Sequence, residues 1–456
     1  MIPADPISAE SRLSSVFLAA MGSVFLLYTG LDGYTHIVES KYAAFCLLSG
    51  LYLAAMLFVF LQRLFVGAAR RERLKNMLLR TSWTQRFVFA YLVLTWISAF
   101  ASRYFPQTLV GMSRYEGTLT LTLYCLIFFC ISACAPPGRW VLWMFGAAIT
   151  LQNMLCIVQL TGANPLSLYP EGYSWFDAGV RYSGAYLGTI GNTGLLGAVY
   201  CIAIPIFLLG LFKLRGWIRF FLLFPLMSSI YVAARMDVLA CFAGLGGGLA
   251  VYLFIALPRT GKGRRTACIF AVCAAAAAFG IMFFFDSGTG FFHELHELLH
   301  GRAQPGFGSG RLYIWENVLR LVPRHLAFGA GPDTMIAAGI EPFARWDEDL
   351  GRLLTAHIDA AHSEYLNILY HQGAFALAAC LAAIGCALWR WGASPVRRPE
   401  AAGIAAAVTC YAVQALFGIS MCLSAPYFWI SLGLLEAYAS QARYKRESRP
   451  DTNISV

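Results

Sequence analysis

The chain has 456 residues, 59% of them hydrophobic and only 13% charged, with a mean hydropathy of +0.62. Soluble domains carry about 25% charged residues, so this composition excludes a soluble fold. The net charge of +10 could suggest a nucleic-acid partner, but the placement of the basic residues explains it through membrane orientation instead.

The apolar residues come in runs of about 17 to 25, each long enough to cross a hydrocarbon core of about 30 Å as a helix. Helices satisfy their own backbone groups where no water is available. Barrel strands would alternate in polarity over about ten residues, and these runs do not. In chain order the pattern predicts about twelve spans: 13–31, 42–62, 86–104, 118–134, 140–160, 185–211, 219–234, 238–257, 267–285, 366–388, 401–419 and 425–440. The expected fold is an all-α membrane protein forming a single polytopic domain over residues 1–456. One long, partly helical loop, 286–362, joins spans 9 and 10. The first run is too long for a signal-peptide core and follows barely basic residues, so it reads as an anchor that stays.

Alternate connections carry most of the positive charge. Arg12, Arg139 and the segments 63–86, 213–219, 259–265, 390–398 and 443–449 hold twenty-three of the 34 basic residues. That set reads as cytoplasmic, with both termini inside. All eight histidines fall on the other side or at its membrane boundary, as does the 286–362 loop. Long loops in compact proteins are usually functional. The 13 cysteines lie in or beside apolar runs and none falls in 286–360, which reads as core filling and not as a disulfide or zinc framework. Gly244 and Gly248 form a small-xxx-small pair suited to close helix packing.

Three residues stand out. Arg235 lies in a tight turn between two spans, where an ionisable group is costly unless paired or hydrated. It reads as a functional arginine, or as a snorkelling one paired with Asp237. Arg311 opens a helix expected over 311–321, capped by Ser309 or Gly310 and ended by Pro323. Leu312, Trp315, Leu319 and Val322 recur there at helical spacing. Free amides, preceding glycines and a guanidinium make a phosphate site there; an ordinary capped surface helix fits the same pattern. His362 sits where the loop returns to the membrane. A neutral imidazole could take a hydroxyl proton, with Glu364 or Asp359 to orient it, or it could be an interfacial polar cap.

Two further patterns are weaker. His296-Glu297-Leu298-Leu299-His300 fits HExxH, a zinc-protease signature, and also an amphipathic helix. Asp347-Glu348-Asp349 fits the loose DxD pattern of metal-dependent sugar transferases, but no nucleotide-binding domain accompanies it and a solvated loop explains it.

Four segments in order resemble the O-antigen ligase and O-antigen polymerase superfamily of bacterial membrane glycosyltransferases. They are SRYEGTLTLTLY (113–124), RYSGAYLGTIGNTGLLGAVYCIAIP (181–205), GSGRLYIWENVLRLVPRHLAFGAGPDTM (308–335) and AHSEYLNILYHQGAFAL (361–377). The resemblance implies a GT-C-like fold in the bacterial cytoplasmic membrane with its site facing outside. It implies transfer of a glycan from undecaprenyl pyrophosphate to an acceptor hydroxyl on lipid A-core, glycan, protein or wall polymer. Arg311 and Arg235 match pyrophosphate-binding arginines and His362 the acceptor-activating histidine. Arg181 and Arg114 match site-lining positions, and Glu364 is grouped with them as substrate-binding. Ser363 and Ala234 depart from the family's usual Asn and Ser.

The resulting expectation is an inverting, metal-independent transferase with no cofactor and no nucleic-acid partner, of ligase or polymerase type. A lipid-linked sugar flippase would spread ionisable residues along several spans and often shows an inverted repeat. Here those residues gather on one side and no such repeat is evident. A zinc membrane protease remains the alternative that HELLH raises.

Overall fold

The computed structural model describes residues 8–65, 81–177, 186–257, 265–266, 269, 279–280, 282–286, 288, 290–302, 304, 307–308, 310–347, 352–394 and 398–447. Seven of its helical segments are long and apolar enough to cross a membrane: Gly33–Gln62, Trp83–Ala101, Arg139–Gln159, Thr193–Lys213, Arg219–Met236, Leu239–Ala256 and Ala374–Ala393. They match seven of the twelve runs. The runs at 13–31, 118–134, 401–419 and 425–440 are also helical, but they are shorter, kinked or more polar. Most of the run 267–285 lies outside the described residues.

The elements in order are α1 (Ala9–Ala20), α2 (Ile37–Phe65), α3 (Trp83–Ala101), α4 (Thr118–Ser132), α5 (Arg139–Gln159), α6 (Thr193–Lys213), α7 (Leu223–Met236), α8 (Leu239–Ala256), α9 (Gly290–Leu299), α10 (Arg311–Leu321), the strands β1 (Phe343–Asp347) and β2 (Arg352–Ala356), α11 (Glu364–His371), α12 (Ala374–Ala393), α13 (Pro399–Gln414) and α14 (Ala425–Glu447). β1 and β2 pair antiparallel, Phe343 opposite Ala356 and Asp347 opposite Arg352. This hairpin departs from the helical expectation, as do the break at Gln372–Gly373 within the run 366–388 and the run 185–211, which is helical only from Thr193.

At the centre α13 packs on α6 and α8, and every residue from Ala401 to Tyr411 is buried. The alanine-rich sequence of α13 makes it thin enough to be surrounded. Gly244 and Gly248 of α8 then let the helices touch: a Cβ at Gly248 would lie 2.2 Å from the Cα of Cys410. Around this centre α3 packs on α12, α4 on α14 and α5 on α7. The eleven cysteines in the described residues are free, and most are buried among apolar neighbours, as core filling requires.

The helix ends sort into two faces of the bundle. At one, Arg139 of α5 pairs with Glu400 of α13, Gln85 of α3 bonds Ser132 of α4, and Arg390 of α12 pairs with the buried Glu436 of α14. At the other, Ser98 and Ser102 bond the carbonyls of His371 and Ala330, and Tyr34 bonds the carbonyl of Gly188.

That second face is tied into the helices by buried polar groups. After α1 the chain makes a π turn, Met21–Phe25. The Nζ of the fully buried Lys41 donates to the carbonyls of Phe25 and Leu26, and Thr189 Oγ1 also donates to Leu26. Carbonyls released by the irregular turn thus find donors inside the protein, as the membrane demands. Gln152 and Gln159 of α5 accept from the amides of Thr189 and Gly188. Gly188 has φ +60, and a Cβ there would lie 2.1 Å from Gln152 Nε2. Only glycine serves at that turn.

Candidate functional site

Arg311 is the first helical residue of α10, after Gly310 at φ +83 with no side-chain cap. The helix is α-helical to Leu321 and continues as a 3-10 turn through Pro323 to His325. The helix start has no side-chain cap and carries the positive end of the helix dipole, the end that attracts anions; the Arg311 amide itself donates to the Gly308 carbonyl at 3.3 Å. Ser309, the other expected cap, lies outside the described residues. Arg311 Nη1 donates to the Gly308 carbonyl at 2.6 Å. Its Nε is buried with no hydrogen-bond partner. A buried donor left unpaired is costly and calls for an acceptor. Burial lowers the proton affinity of this guanidinium while Glu294 raises it. Glu294 also accepts from the Gly308 amide at 2.8 Å, which holds the turn before the helix.

α10 is docked beside His362 by Trp315, whose Nε1 donates to the Ala361 carbonyl at 2.8 Å. Asn367 Oδ1 accepts from the Ala361 amide, also at 2.8 Å. His362 adopts φ +48, a left-handed conformation uncommon for a non-glycine residue. Such strain persists only where surrounding contacts impose it. Its imidazole is pushed down to about 4, first by burial, then by Arg114 and Arg311, with Asp359 opposing. His362 is therefore neutral at physiological pH and has a free lone pair for a proton.

Arg114 reaches this group from the other side of the sequence. Its Nε and Nη2 donate to Asp359 Oδ2 and Oδ1 at 2.8 and 2.7 Å. Its loop is held by Asp333, whose carboxylate accepts from the amides of Ser113 and Arg114 and from Ser113 Oγ. The segments 113–124 and 308–335, far apart in sequence, thus close on each other. Asp333 and this connection were not singled out from the sequence, where a lone aspartate after Gly-Pro reads as a turn residue.

Behind the arginine lies a small polar cavity of about 40 Å³, lined by Arg114, Glu116, Asp333, Asp359, Glu364, Asn367, His371 and Ser420. It has room for about one water and no substrate. Glu364 opens α11. Its Oε2 accepts from the Ser420 amide at 3.2 Å, and its own amide donates to the Ala415 carbonyl. Burial pushes its carboxyl up to about 7, opposed by those hydrogen bonds and by Arg114. Glu116 accepts from Tyr124 at 2.7 Å, and burial holds its carboxyl well above the usual range. Of the two orienting groups left open by the sequence, Asp359 is the one whose charge acts on His362. Glu364 is engaged with Ser420 and Asn367.

The remaining expected site residues are Arg235 and Arg181. Arg235 ends α7, which packs on α5 and α6, and its side chain is exposed near Asp237 at φ +52. The charged groups that act on His362 are Arg114, Arg311 and Asp359. Arg181 lies outside the described residues, as do Glu348 and Asp349.

The HELLH segment lies on α9 and its end. Asp286, His296 and Glu297 bring possible ligand atoms within 4.8 Å of one another. A zinc protease would use His296 and His300 as ligands and Glu297 as base. Here His300 Nδ1 faces the His296 carbonyl at 2.8 Å, and Glu297 pairs with Arg302 at 2.6 Å. The three groups that converge are therefore not the protease set.

These features define a class: a polytopic helical membrane protein with a neutral histidine and two arginines gathered at one face of its bundle. Within that class, residues 233–381 match the family model described as O-Antigen ligase. The matched stretch contains Arg235, Arg311 and His362, and it supports the O-antigen ligase and polymerase superfamily named from the sequence segments. With the apolar helices, it supports an integral bacterial membrane protein with a glycosyltransferase-like activity of ligase or polymerase type. No curated protein matches the chain.

Proposed function

We propose that the protein transfers a glycan from a polyprenyl-pyrophosphate donor to an acceptor hydroxyl on the outer side of the bacterial cytoplasmic membrane. The observation that carries this reading is Arg311, whose buried Nε lacks a partner and whose charge acts on the neutral imidazole of His362. A pyrophosphate oxygen would complete Arg311 and meet the positive end of the α10 dipole. Arg311, with Arg235 as the second arginine, would offset the negative charge that grows on the leaving pyrophosphate, while Arg114, already engaged by Asp359, lines the site. The acceptor hydroxyl attacks the anomeric carbon as its proton passes to His362, and the bond to the pyrophosphate oxygen breaks. Attack from the opposite face inverts the anomeric centre, and the two guanidinium groups supply the positive charge without a metal. Arg235, also in the matched segment, is proposed to contact the donor from α7. Arg181 and Glu364 complete the substrate-binding set.

The bundle is proposed to have twelve spans, with the His362 face outside and both termini inside, following the basic connections. The loop 286–362 between spans 9 and 10 then presents α10 to the membrane surface, where a lipid-linked donor has its head in water and its tail in lipid. Ligase and polymerase types differ in acceptor, another molecule or another lipid-linked glycan. The ligase type is the primary reading because the family match carries that description.

The test is transfer in proteoliposomes supplied with polyprenyl-pyrophosphate glycan, chelator and a panel of acceptors. Glycan transfer with inversion supports the reading. No transfer to any acceptor, or transfer that requires a divalent metal, overturns it. Chain extension of the donor alone would assign the polymerase type.

A further inference from the structure

A void lies at the opposite face of the bundle from His362. It measures about 300 Å³. Its walls are apolar and come from five helices and the π turn: Met21, Leu142, Phe145, Ile206, Ile404 and Ile430 are representative. Its rim is charged and includes Arg139, Arg398 and Glu400. Protein interiors are close-packed, with few voids larger than one water. An opening of this size whose walls are mostly apolar favours an apolar occupant. Arg139 Nε and Nη2 both donate to Glu400 Oε1, at 3.2 and 3.1 Å. That pair is neutral as a unit, and Arg398 beside it leaves the rim with one net positive charge.

We propose that this cavity holds an acyl chain of an anionic phospholipid from the adjoining leaflet, with the headgroup phosphate at Arg139 and Arg398. The occupant follows from the combination of an apolar interior and a cationic rim. A neutral amphiphile would fill the walls and ignore the arginines. A free anion would meet the arginines and leave the walls bare. The rim lies where helices α5 and α13 begin, the level at which a headgroup sits when the chain end enters the bundle. The Pro136-Pro137-Gly138 turn at the same rim has no side chains long enough to close the opening. This inference is independent of the glycan-transfer reading, since it concerns the other face.

The test uses the full chain in nanodiscs with phosphatidylglycerol carrying a photoreactive acyl chain, and phosphatidylcholine with the same chain as control. Crosslinks should map to cavity-wall peptides containing Leu142, Phe145 or Ile430. Phosphatidylglycerol should label about fivefold more than phosphatidylcholine, the preference expected for one net cationic charge. Leu142→Trp should cut labelling of the cavity by both lipids while leaving labelling of the outward-facing Phe89 unchanged. Arg398→Gln, at a partly exposed position that folding tolerates, should abolish the preference between the two headgroups. Equal labelling by both lipids in the wild type overturns the proposal, as does labelling confined to the outer helix surface. Displacement of the phosphatidylglycerol probe by equimolar polyprenyl phosphate also overturns it, and would assign the cavity to the donor's tail.

Discussion

Arg114 and Asp359 are 245 residues apart in sequence and meet in a two-pronged ion pair, with both contacts under 3 Å. The pair fastens the loop after α3 to the strand of chain that leads into His362. It also places opposite charges beside the imidazole: Arg114 lowers its proton affinity and Asp359 raises it.

The sign of this coupling gives the first prediction. A general base works only when neutral, so activity falls as pH drops through its pKa. With His362 held at about 4, the acidic limb of kcat/KM should lie near that pH. Arg114→Gln removes a repelling charge and should move the limb upward. Asp359→Asn removes the opposing charge and should move it downward. Transfer rates across pH 3.5–8 for the three proteins check this. A limb that stays in place in both variants would separate His362 from these charges.

The second prediction concerns Arg311. Its buried Nε and its position on the first turn of α10 suit an oxyanion that gains charge during reaction. Arg311→Ala should lower kcat/KM by about 10²- to 10³-fold, the loss typical of removing one oxyanion donor. Arg311→Lys should recover little, since an ammonium cannot reproduce the planar fork. Comparable melting temperatures of the variants would show that the loss is chemical.

The third prediction concerns Asp333. It is buried, sits at φ +54 and accepts three hydrogen bonds from Ser113 and Arg114. Asparagine tolerates the same backbone conformation but turns a donor toward donors. Asp333→Asn should cost about 1–3 kcal/mol. It should also raise amide exchange across 112–117 measured by hydrogen–deuterium exchange, with smaller changes in α13.

A fourth prediction follows from Glu364, whose carboxyl is raised from 4.5 to about 7. The folded protein holds this proton when the unfolded chain has released it. Its stabilising effect is therefore full below pH 4.5 and is lost as pH rises toward 7. The change amounts to at most about 3 kcal/mol, less in proportion to the residue's partial exposure. Glu364→Gln should flatten the pH dependence of the melting temperature between pH 5 and 8 and raise it at pH 8.

Much of this architecture is legible in the chain because membrane spans are written in local composition. The helix 311–321 with its terminating Pro323, the packing of Gly244 and Gly248, and the filler cysteines are likewise local patterns. The β1–β2 hairpin leaves no such mark, because its two five-residue strands are too short to set a period of their own within the long loop. The Arg114–Asp359 pair and the Asp333 clasp are contacts between distant segments, and no spacing rule announces them. The match at Arg235 is likewise local: the residue stands out by its place between two spans, and it ends α7, which packs on α5 and α6. Glu116 carries no local signal, because an acid before a span looks like any interfacial carboxylate until its partner Tyr124 is placed.

The most direct test of the central claim is a single-turnover comparison of wild type and His362→Ala in proteoliposomes preloaded with lipid-linked glycan and then given acceptor at pH 7. The account predicts that the variant retains donor binding, measured by sedimentation of labelled donor with the protein, and transfers at least about 100-fold more slowly. Transfer by His362→Ala at the wild-type rate, with donor bound equally, would contradict it.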